Sequence, residues 1–498
     1  MALSLEEPDA AGVRTLRVRL GDVLANIGRG PEAAAAYLEA AQGADLRQAL
    51  DLQRRAAEQL LISGHIDEGT RLMNEVLSAV GMRLATSPRR ALLSLLWRRL
   101  LVALSSIEIA PRRDQPADEE DLLRMDICWS VGRGLATVDV VRANDFQTRH
   151  LLLAQRGGDR TRLARAMAME IGVTAVRGGP QRQRTQRMIE RAKALANEVD
   201  DPHALGLVAF MEGIAEYLVG RWRSTVGLLE RAETILRDRC TNVSWEIINA
   251  QRFAHSALWF LGYLRELSDK LPALLHSARE LGNVYAVSAG GRNAHLLGLA
   301  NDDPEAAQDS LEETIAGLPR TGFHVQHYNL LLSRAQILLY VGAAQTAWDT
   351  VQTEWRALTR SLLMRTQLLR MEAWSLRARC ALALAASGHR DAGRLLGFAE
   401  EDAARIAREN MAWGNPYAAV IHATVEHLSA NPEAAQAGLR QAATGFADAE
   451  MYLCAAAVRH RLGTICGAPG LVAEAEEWMR DQRIKNPPRM AAMLVPGF

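Results

Sequence analysis

The chain has few of the features that mark a secreted or disulfide-linked protein. Five of its 498 residues are cysteines, and no two of them form a Cys-x-x-Cys pair. An odd number of scattered cysteines is typical of reduced thiols inside the cell and not of a disulfide framework. The first residues, MALSLEEPDAAG, have neither the basic start nor the apolar run of a signal peptide. These absences predict a cytoplasmic protein.

A long apolar run and a net charge are missing as well. The most apolar stretch, residues 91–107, is interrupted by Arg98 and Arg99 and is short for a bilayer span. It therefore predicts a buried amphipathic helix. The formal net charge is zero, so no overall field attracts nucleic acid or anionic lipid. We expect neither nucleic acid nor a membrane as a partner.

Catalytic motifs are absent or incomplete. A P-loop needs a lysine after glycine to reach the phosphates, and none of the lysines has that neighbour; they are Lys193, Lys270 and Lys485. His389-Arg390-Asp391 matches the kinase catalytic tripeptide, but Leu396 stands where that loop needs asparagine. The tripeptide is better explained as a hairpin turn. We expect no enzyme activity and no cofactor.

Two further groups of residues have structural explanations. His324 and His327 lie one helical turn apart, but no nearby cysteine or carboxylate completes a metal site. Residues 156–193 contain ten basic and three acidic residues, a local charge of +7. Clustered arginines can bind phosphate or an acidic partner, yet no aromatic residues interleave them as single-stranded nucleic acid would require. We interpret this stretch as the solvated face of two helices.

What the chain does contain is a repeated helical phrase. "PEAA" occurs at residues 31–34, 304–307 and 432–435. Alanines follow three residues after each proline and leucines seven residues after it; they are Ala34, Ala307, Ala435, Leu38, Leu311 and Leu439. This spacing lies along one stripe of a helix, and proline suits a first helical turn. Each phrase therefore predicts the turn and second helix of a helical hairpin.

Similar turns recur through the rest of the chain. The turn markers are spaced by 42, 42, 38, 46, 44 and 35 residues; they are Gly220, Gly262, Pro304, Gly342, Gly388, Pro432 and Gly467. A repeat of this length, unable to bury its own apolar face, predicts a stacked solenoid. Gly220, Trp222 and Ala232 resemble a tetratricopeptide-repeat turn. The predicted fold is all-α, a right-handed superhelical solenoid of about ten to twelve tetratricopeptide-like hairpins.

Composition and turn signals divide the chain into five parts. We predict a flexible N-terminus (1–15), N-terminal hairpins (16–110), a connector containing PRRDQPADEED (111–121), the main solenoid (122–481) and a C-terminal tail (482–498). The tail is expected to be irregular, because Pro487 and Pro488 are interpreted as the end of the last helix.

Longer phrases resemble a narrower family. They are AAEQLLISGHIDEGTRLMNEVLSAVGM (56–82), DICWSVGRGLATVDVVRANDFQTRHLLLAQRGGD (126–159), RDRCTNVSWEI (237–247) and TGFHVQHYNLLL (321–332). They resemble the carboxy-terminal helical-repeat region of large bacterial, myxobacterial-type serine/threonine kinase–P-loop ATPase signalling proteins. The resemblance runs from about residue 16 to the end, over the tail of such proteins alone. It implies an interaction or sensor role beside a kinase.

The sequence therefore predicts a non-catalytic interaction and sensor scaffold in bacterial signal transduction. A protein or peptide partner, including a kinase or ATPase module, would bind on the concave face. Tetratricopeptide geometry places these residues there: Asn249, Arg252, Arg292, Asn329 and Gln336. Two alternatives remain: the tail of an ATP-dependent regulator that senses a small molecule, and a fragment of a kinase whose catalytic modules are absent. An open polar groove would favour a peptide, and an enclosed apolar pocket would favour a metabolite.

Overall fold

The structure is a computed structural model that describes residues 10–104, 118–136, 139–315 and 323–498. Every regular element within these ranges is a helix and none is a strand. This confirms the all-α prediction.

The helices follow one another as antiparallel neighbours. Those of the first half are α1 (Ala10–Asn26), α2 (Gly30–Ala41), α3 (Leu46–Ser63), α4 (Ile66–Ala79), α5 (Pro88–Leu104), α6 (Glu119–Leu135), α7 (Val140–Gly157), α8 (Arg160–Ala175), α9 (Arg182–Val199), α10 (Pro202–Leu218), α11 (Trp222–Arg239) and α12 (Ser244–Leu261). Those of the second half are α13 (Leu264–Glu280), α14 (Val284–Ala300), α15 (Pro304–Ile315), α16 (Val325–Tyr340), α17 (Ala344–Arg360), α18 (Gln367–Ala386), α19 (Ala392–Arg408), α20 (Asn415–Leu428), α21 (Pro432–Asp448), α22 (Tyr452–Cys466), α23 (Pro469–Asp481) and α24 (Pro487–Leu494). Short 3-10 turns precede α9 and α18, at Gly179–Gln181 and Leu362–Arg365.

The hairpin turns fall at the glycines and prolines that predict them. Gly220 and Gly262 have φ values of +83° and +84°, a left-handed conformation that glycine adopts without the steric cost of a side chain. Pro304 and Pro432 begin α15 and α21, where the missing N–H has no helical partner to lose. Consecutive hairpins then stack along the chain, as expected of a solenoid.

The alanines of the repeated phrase allow two helices to approach closely. Ala307 is completely buried, and a Cβ added to Gly298 of α14 would lie 2.9 Å from the Ala307 Cβ. Ala34 and Ala435 are buried in the same way. The leucine between the helices fills the remaining space, with Leu311 1% exposed. The predicted stripe is therefore the packing face within each hairpin.

The superhelix coils tightly enough for successive turns to touch. Hydrogen bonds join Gln59 to Asn242, Asp302 to Asn486 and Gly179 to Gln367, pairs that lie 183, 184 and 188 residues apart. With hairpins of about forty residues, one superhelical turn takes roughly four to five hairpins. At these three places distant parts of the chain therefore lie in contact across the interior. The handedness of the superhelix stays a prediction.

The two ends of the chain differ from the expected irregular termini. Helix α1 already begins at Ala10, inside the segment expected to be flexible. At the other end, Pro487 and Pro488 start α24 instead of stopping a helix. The double proline fits because the first-turn N–H groups of a helix have no intrahelical acceptor. Most of the predicted connector, residues 111–117, lies outside the described residues.

Helix α5, which the sequence predicts to be a buried amphipathic helix, is buried on one side and exposes apolar side chains on the other. Ala91 and Val102 are buried, with exposures of 1% and 2%, and α5 packs on α7. The opposite face carries large apolar side chains that are exposed: Leu93, Leu96, Trp97, Leu100 and Leu104. The helix thus has apolar side chains on two opposite sides, and the described protein covers one of them.

Candidate functional site

The predicted partner-binding residues are buried or half-buried between neighbouring helices. Asn249, Arg292, Asn329 and Gln336 are at most 7% exposed, and Arg252 is half-buried. They come from α12, α14 and α16, the inner helices of consecutive hairpins. Four of the five are therefore not open to solvent, and their role in partner binding stays a prediction.

These inward residues bond to one another and to neighbouring helices. The Arg292 guanidinium donates to Asn329 Oδ1 at 3.0 Å and to Glu372 Oε1 at 2.6 Å. Although burial disfavours the charge, Glu372 beside it raises the pKa of Arg292. We refer to these three side chains as the Arg292 network, which links α14, α16 and α18. A satisfied buried network of this kind holds helices in register.

Other inward residues are also paired. Tyr285 Oη donates to Asn249 Oδ1 at 2.7 Å, and His295 Nε2 lies 2.8 Å from Gln336 Oε1. Burial lowers the pKa of His295 to about 4, so the ring is neutral at pH 7. These contacts leave little of the predicted binding surface available to a peptide.

The C-terminal helix covers the same interior surface. Met490 and Met493 of α24 are completely buried, and the Met493 carbonyl accepts a hydrogen bond from Arg379 at 3.4 Å. Leu494 and Gln336 line a cavity of about 40 Å³, room for only a few waters. In this conformation the chain's own tail fills the concave face.

A charged cluster occupies the interior of the first half. Arg133 of α6 donates to Glu58 of α3 at 2.8 Å and to Glu246 of α12 at 2.9 Å. Ser130 adds a 2.7 Å hydrogen bond to Glu58, and His203 lies 3.3 Å from Glu246. Burial alone would raise the pKa of Glu246, but Arg133 and His203 hold it below its ordinary value. We call these five residues the Arg133 cluster.

A cavity of about 580 Å³ lies between α11, α12 and α13. This is the size of a small-molecule pocket. Its walls are mainly aliphatic, with Ile247, Leu258, Leu274 and Leu281 among the lining residues. Pro272 lies inside α13 on its exposed side, where it removes one helical hydrogen bond. We call this space the α11–α13 cavity.

The deepest polar group of the cavity is His255. Its side chain lines the cavity and is 5% exposed, and its Nδ1 has no hydrogen-bond partner among the described residues. Burial, with a smaller effect from Lys270, lowers the pKa of His255 to about 4. A neutral imidazole can donate or accept a hydrogen bond. An unpaired buried ring of this kind is unfavourable until a ligand or water pairs with it.

The charged residues at the cavity rim neutralise one another. Lys270 donates to Glu230 at 2.8 Å and to Glu266 at 2.6 Å. Burial works against this charge, but the two hydrogen bonds raise the pKa of Lys270. Glu233 accepts from Gln251 at 2.7 Å and also pairs with Arg237. Each of these charges therefore has an opposite partner, and the three carboxylates with their two cations leave a net charge of −1, which disfavours an anionic ligand at this rim.

The first hairpin closes one side of the cavity. Asn26, Ile27 and Gly28 line it from the preceding superhelical turn. The backbone N–H of Asn242 donates to Asn26 Oδ1, and Gln59 donates to Asn242 Oδ1 at 3.1 Å. The cavity thus lies where two turns of the superhelix meet, and a ligand there would touch both.

The sequence contains only weak signals for this cavity. His255 stands with Ser256 in the mainly apolar run FAHSALWFL, and Ile247, Leu258 and Leu274 are ordinary apolar residues of helices. Neither signal separates a ligand pocket from an ordinary core, because the third wall comes from residues more than two hundred positions away.

The kinase-like tripeptide and the histidine pair noted in the sequence lie in a turn and in a helix cap. His389-Arg390-Asp391 lies in the turn between α18 and α19. His324 and His327 take part in the N-terminal cap of α16, where the His324 N–H donates to His327 Nδ1 at 3.2 Å. No helix in the described part of the chain is long and apolar enough to cross a bilayer.

The basic stretch divides into paired and exposed arginines. Arg162 bonds Asp126 on both oxygens at 2.8 Å, and Arg165 contacts Asp201 at 3.2 Å. Arg184 and Arg187 are exposed on α9. Much of the local charge is therefore neutralised by packing partners.

No protein-family model and no curated protein matches this chain. The resemblance to kinase–ATPase tails therefore rests on the quoted phrases alone.

Proposed function

We propose that this chain is a non-catalytic sensor scaffold that binds a small, uncharged aliphatic compound in the α11–α13 cavity. The observation that carries the proposal is the combination of an aliphatic wall with the buried Nδ1 of His255, which has no hydrogen-bond partner among the described residues. Pockets of this kind use apolar area for affinity and few polar groups for orientation. No aromatic residue lines the cavity, which favours an aliphatic ligand over a stacked planar one.

The position of the cavity supports a sensing role. Its lining combines α11–α13 with Asn26, Ile27 and Gly28 of the first hairpin. A ligand that contacts both turns stabilises the arrangement in which they touch, and it shifts the population toward that arrangement. The surface presented to a protein partner, such as a kinase or ATPase module, would change with that shift.

The test uses 1-octanol as a probe, because it joins an aliphatic chain to one hydroxyl. We expect it to raise the melting temperature of the purified protein and to give saturable binding in calorimetry. Ala273→Trp places a ring at the exposed cavity wall and should abolish binding. His255→Leu removes the hydrogen-bonding ring and should weaken binding by about tenfold.

The matched control is His276→Leu on the solvent side of α13, where the side chain is 74% exposed. It should leave the affinity unchanged. Equal binding by the wild type and by Ala273→Trp would place the probe elsewhere and refute this function.

A second candidate, peptide binding on the concave face, has one observation in its favour. Helix α24 lies on that face with apolar side chains, so the surface accommodates a short helical segment. Arg489 and Asn486 tie the segment to Asp302 at 2.8 and 3.0 Å. A partner peptide would have to replace it.

This candidate is tested with a synthetic peptide of residues 486–498. The variant Asn486→Ala/Arg489→Ala loosens the attached tail and should bind the peptide more tightly than the wild type. Failure of the loosened variant to bind it would rule out peptide recognition at this face.

A further inference from the structure

Helix α5 exposes an apolar face that the described protein leaves uncovered. Its side chains are between 48% and 76% exposed; they are Leu93, Leu96, Trp97, Leu100 and Leu104. We call them the α5 stripe. The opposite face packs on α7 through Ala91 and Val102. Contiguous exposed apolar surface of this kind marks an interaction site.

The spacing of the stripe is that of a helix-pairing seam. Leu93, Trp97, Leu100 and Leu104 follow one another in steps of four, three and four residues. This is the a/d pattern of paired helices. The seam is about 17 Å long at 1.5 Å per residue. It therefore fits one partner helix of similar length.

The charged residues of α5 bear on whether the stripe binds a protein helix or a lipid surface. Arg98 and Arg99 point to Asp145 and Glu170, at 3.0 and 2.6 Å. These two arginines are consequently not available to anionic headgroups, and of the arginines of α5 only Arg89 and Arg90, at its first turn, remain exposed. This arrangement favours a protein partner.

The remaining arginines favour an antiparallel partner. Arg89 and Arg90 are exposed at the start of α5, and the helix contains no acidic residue. A parallel copy would bring like charges together. In an antiparallel pair, these arginines lie beside the carbonyl end of the other helix, which carries partial negative charge.

We infer that the chain self-associates through the α5 stripe, with α5 of a second copy running antiparallel about a twofold axis. Leu93 then faces Leu104 of the second copy, and Trp97 faces Leu100. Twofold pairing is the commonest form of homo-oligomer, and tryptophan is a frequent anchor of such interfaces.

The expected dimer is weak and reversible. From their exposures, the five side chains offer on the order of 500 Å² per copy, against about 800 Å² in a standard interface. We therefore expect a dissociation constant in the micromolar range. The inference is independent of ligand binding in the α11–α13 cavity.

The first test is sedimentation equilibrium of the full chain over a range of concentrations. Wild type should show a monomer–dimer equilibrium, and Trp97→Glu should weaken it by at least about thirtyfold. The matched control is Leu20→Glu, on a comparable stripe of α1 where Leu20 is 53% exposed; it should dimerise like wild type. Circular dichroism checks that each variant remains folded.

Three outcomes would overturn the inference: a monomeric wild type, unchanged association of folded Trp97→Glu, or loss of association in Leu20→Glu alone. Flotation of a monomeric wild type with phosphatidylserine vesicles would assign the stripe to lipid instead.

Disulfide trapping tests the orientation. In a Cys466→Ser background, which removes an exposed thiol, a mixture of Leu93→Cys and Leu104→Cys chains should cross-link. Leu93→Cys alone should not, because the two positions lie at opposite ends of the seam. Cross-linking of Leu93→Cys to itself would refute the antiparallel arrangement.

Discussion

Successive turns of the superhelix meet at two interior contacts with different chemistry. In the Arg133 cluster, a guanidinium bridges carboxylates of α3 and α12, and Glu58 and Glu246 are 4% and 0% exposed. In the second contact, Trp222 stacks on Phe260 with ring centroids 4.0 Å apart, and Trp413 meets Trp222 edge-on at 5.8 Å. We call these three rings the aromatic contact.

The two contacts respond differently to change. A buried ion pair adds little net stability over apolar packing of the same volume, but removing one partner leaves an uncompensated charge. Aromatic packing is favourable on its own and is sensitive to shape. The stability of the Arg133 cluster therefore depends on the presence of every charged partner. The stability of the aromatic contact depends on the volume available to its three rings.

The largest expected effect is that of Arg133→Met. It removes the cation that Glu58 and Glu246 share and leaves Glu58 with Arg54 at 3.1 Å and Glu246 with His203 at 3.3 Å. We therefore expect a loss of about 3 kcal/mol of unfolding free energy, the lower end of the range for a broken buried pair. Denaturant unfolding with hydrogen exchange on α3, α6 and α12 measures the loss. The variant Arg133→Met/Glu58→Gln/Glu246→Gln removes all three charges and should recover most of it. A loss below about 1 kcal/mol in the single variant would show that the cluster behaves like a hydrated surface pair.

A smaller effect is expected at the aromatic contact from Gly220→Ala. The added Cβ would fall 2.2 Å from Trp413 Cδ1, and the residue has φ +83°. Overpacking of this kind typically costs about 1–3 kcal/mol. Gly388→Ala is the control, since its φ is +78° but no atom lies within 4 Å of its added Cβ. Equal losses in thermal unfolding would mean that backbone strain, not contact with Trp413, limits this position.

Protonation of His295 at low pH should reduce the unfolding free energy by an amount comparable to or smaller than that of Gly220→Ala. Its folded pKa of about 4 lies below the ordinary value of 6.5, so the unfolded chain binds more protons between these values. Its contribution is intact above pH 6.5 and is lost as the pH falls toward 4. Between pH 7 and 5 we expect a loss of about 1–2 kcal/mol.

His295→Gln should remove this part of the pH dependence. The Glu246 carboxyl, whose pKa lies below its ordinary value of 4.5, should add none in the same range. A wild-type stability profile that Glu246→Gln flattens between pH 7 and 5 would contradict the assignment.

Local features of the fold were predictable, because turns and packing stripes depend on neighbouring residues. Gly220 and Pro304 mark turns by their backbone preferences, and the period of α14 places Arg292 inside. Contacts between superhelical turns were not predictable in this way. Glu58 resembles any solvated helical glutamate until α12 brings Glu246 to the other side of Arg133.

Whether the concave face is open or covered was likewise not predictable from neighbouring residues. Whether Gln336 is free for a partner depends on α24, which lies far along the chain. Pro487 and Pro488 are compatible with either the end or the start of a helix, and only the packing of Met490 and Met493 decides between them. The α11–α13 cavity likewise depends on a wall contributed by the first hairpin.

The smallest effect is expected from charges that are not buried. Arg184 and Arg187 are exposed on α9, and no described carboxylate lies within ion-pair distance of either. Arg184→Ala/Arg187→Ala should change the unfolding free energy by less than about 0.5 kcal/mol. Since salt screens exposed charges strongly, even this difference should shrink between low salt and about 1 M.

The double variant Arg184→Ala/Arg187→Ala can therefore be compared with Arg133→Met, since it removes exposed arginines where Arg133→Met removes a buried one. Arg133→Met should keep its large cost at every salt concentration, because its partners are shielded from ions. Guanidinium is unsuitable for the measurement, since it is itself a salt; urea unfolding at two ionic strengths separates the effects. A salt-sensitive loss above about 1 kcal/mol in Arg184→Ala/Arg187→Ala would mean that α9 is held by long-range charge, and the basic stretch would then have a structural role that its exposure does not indicate.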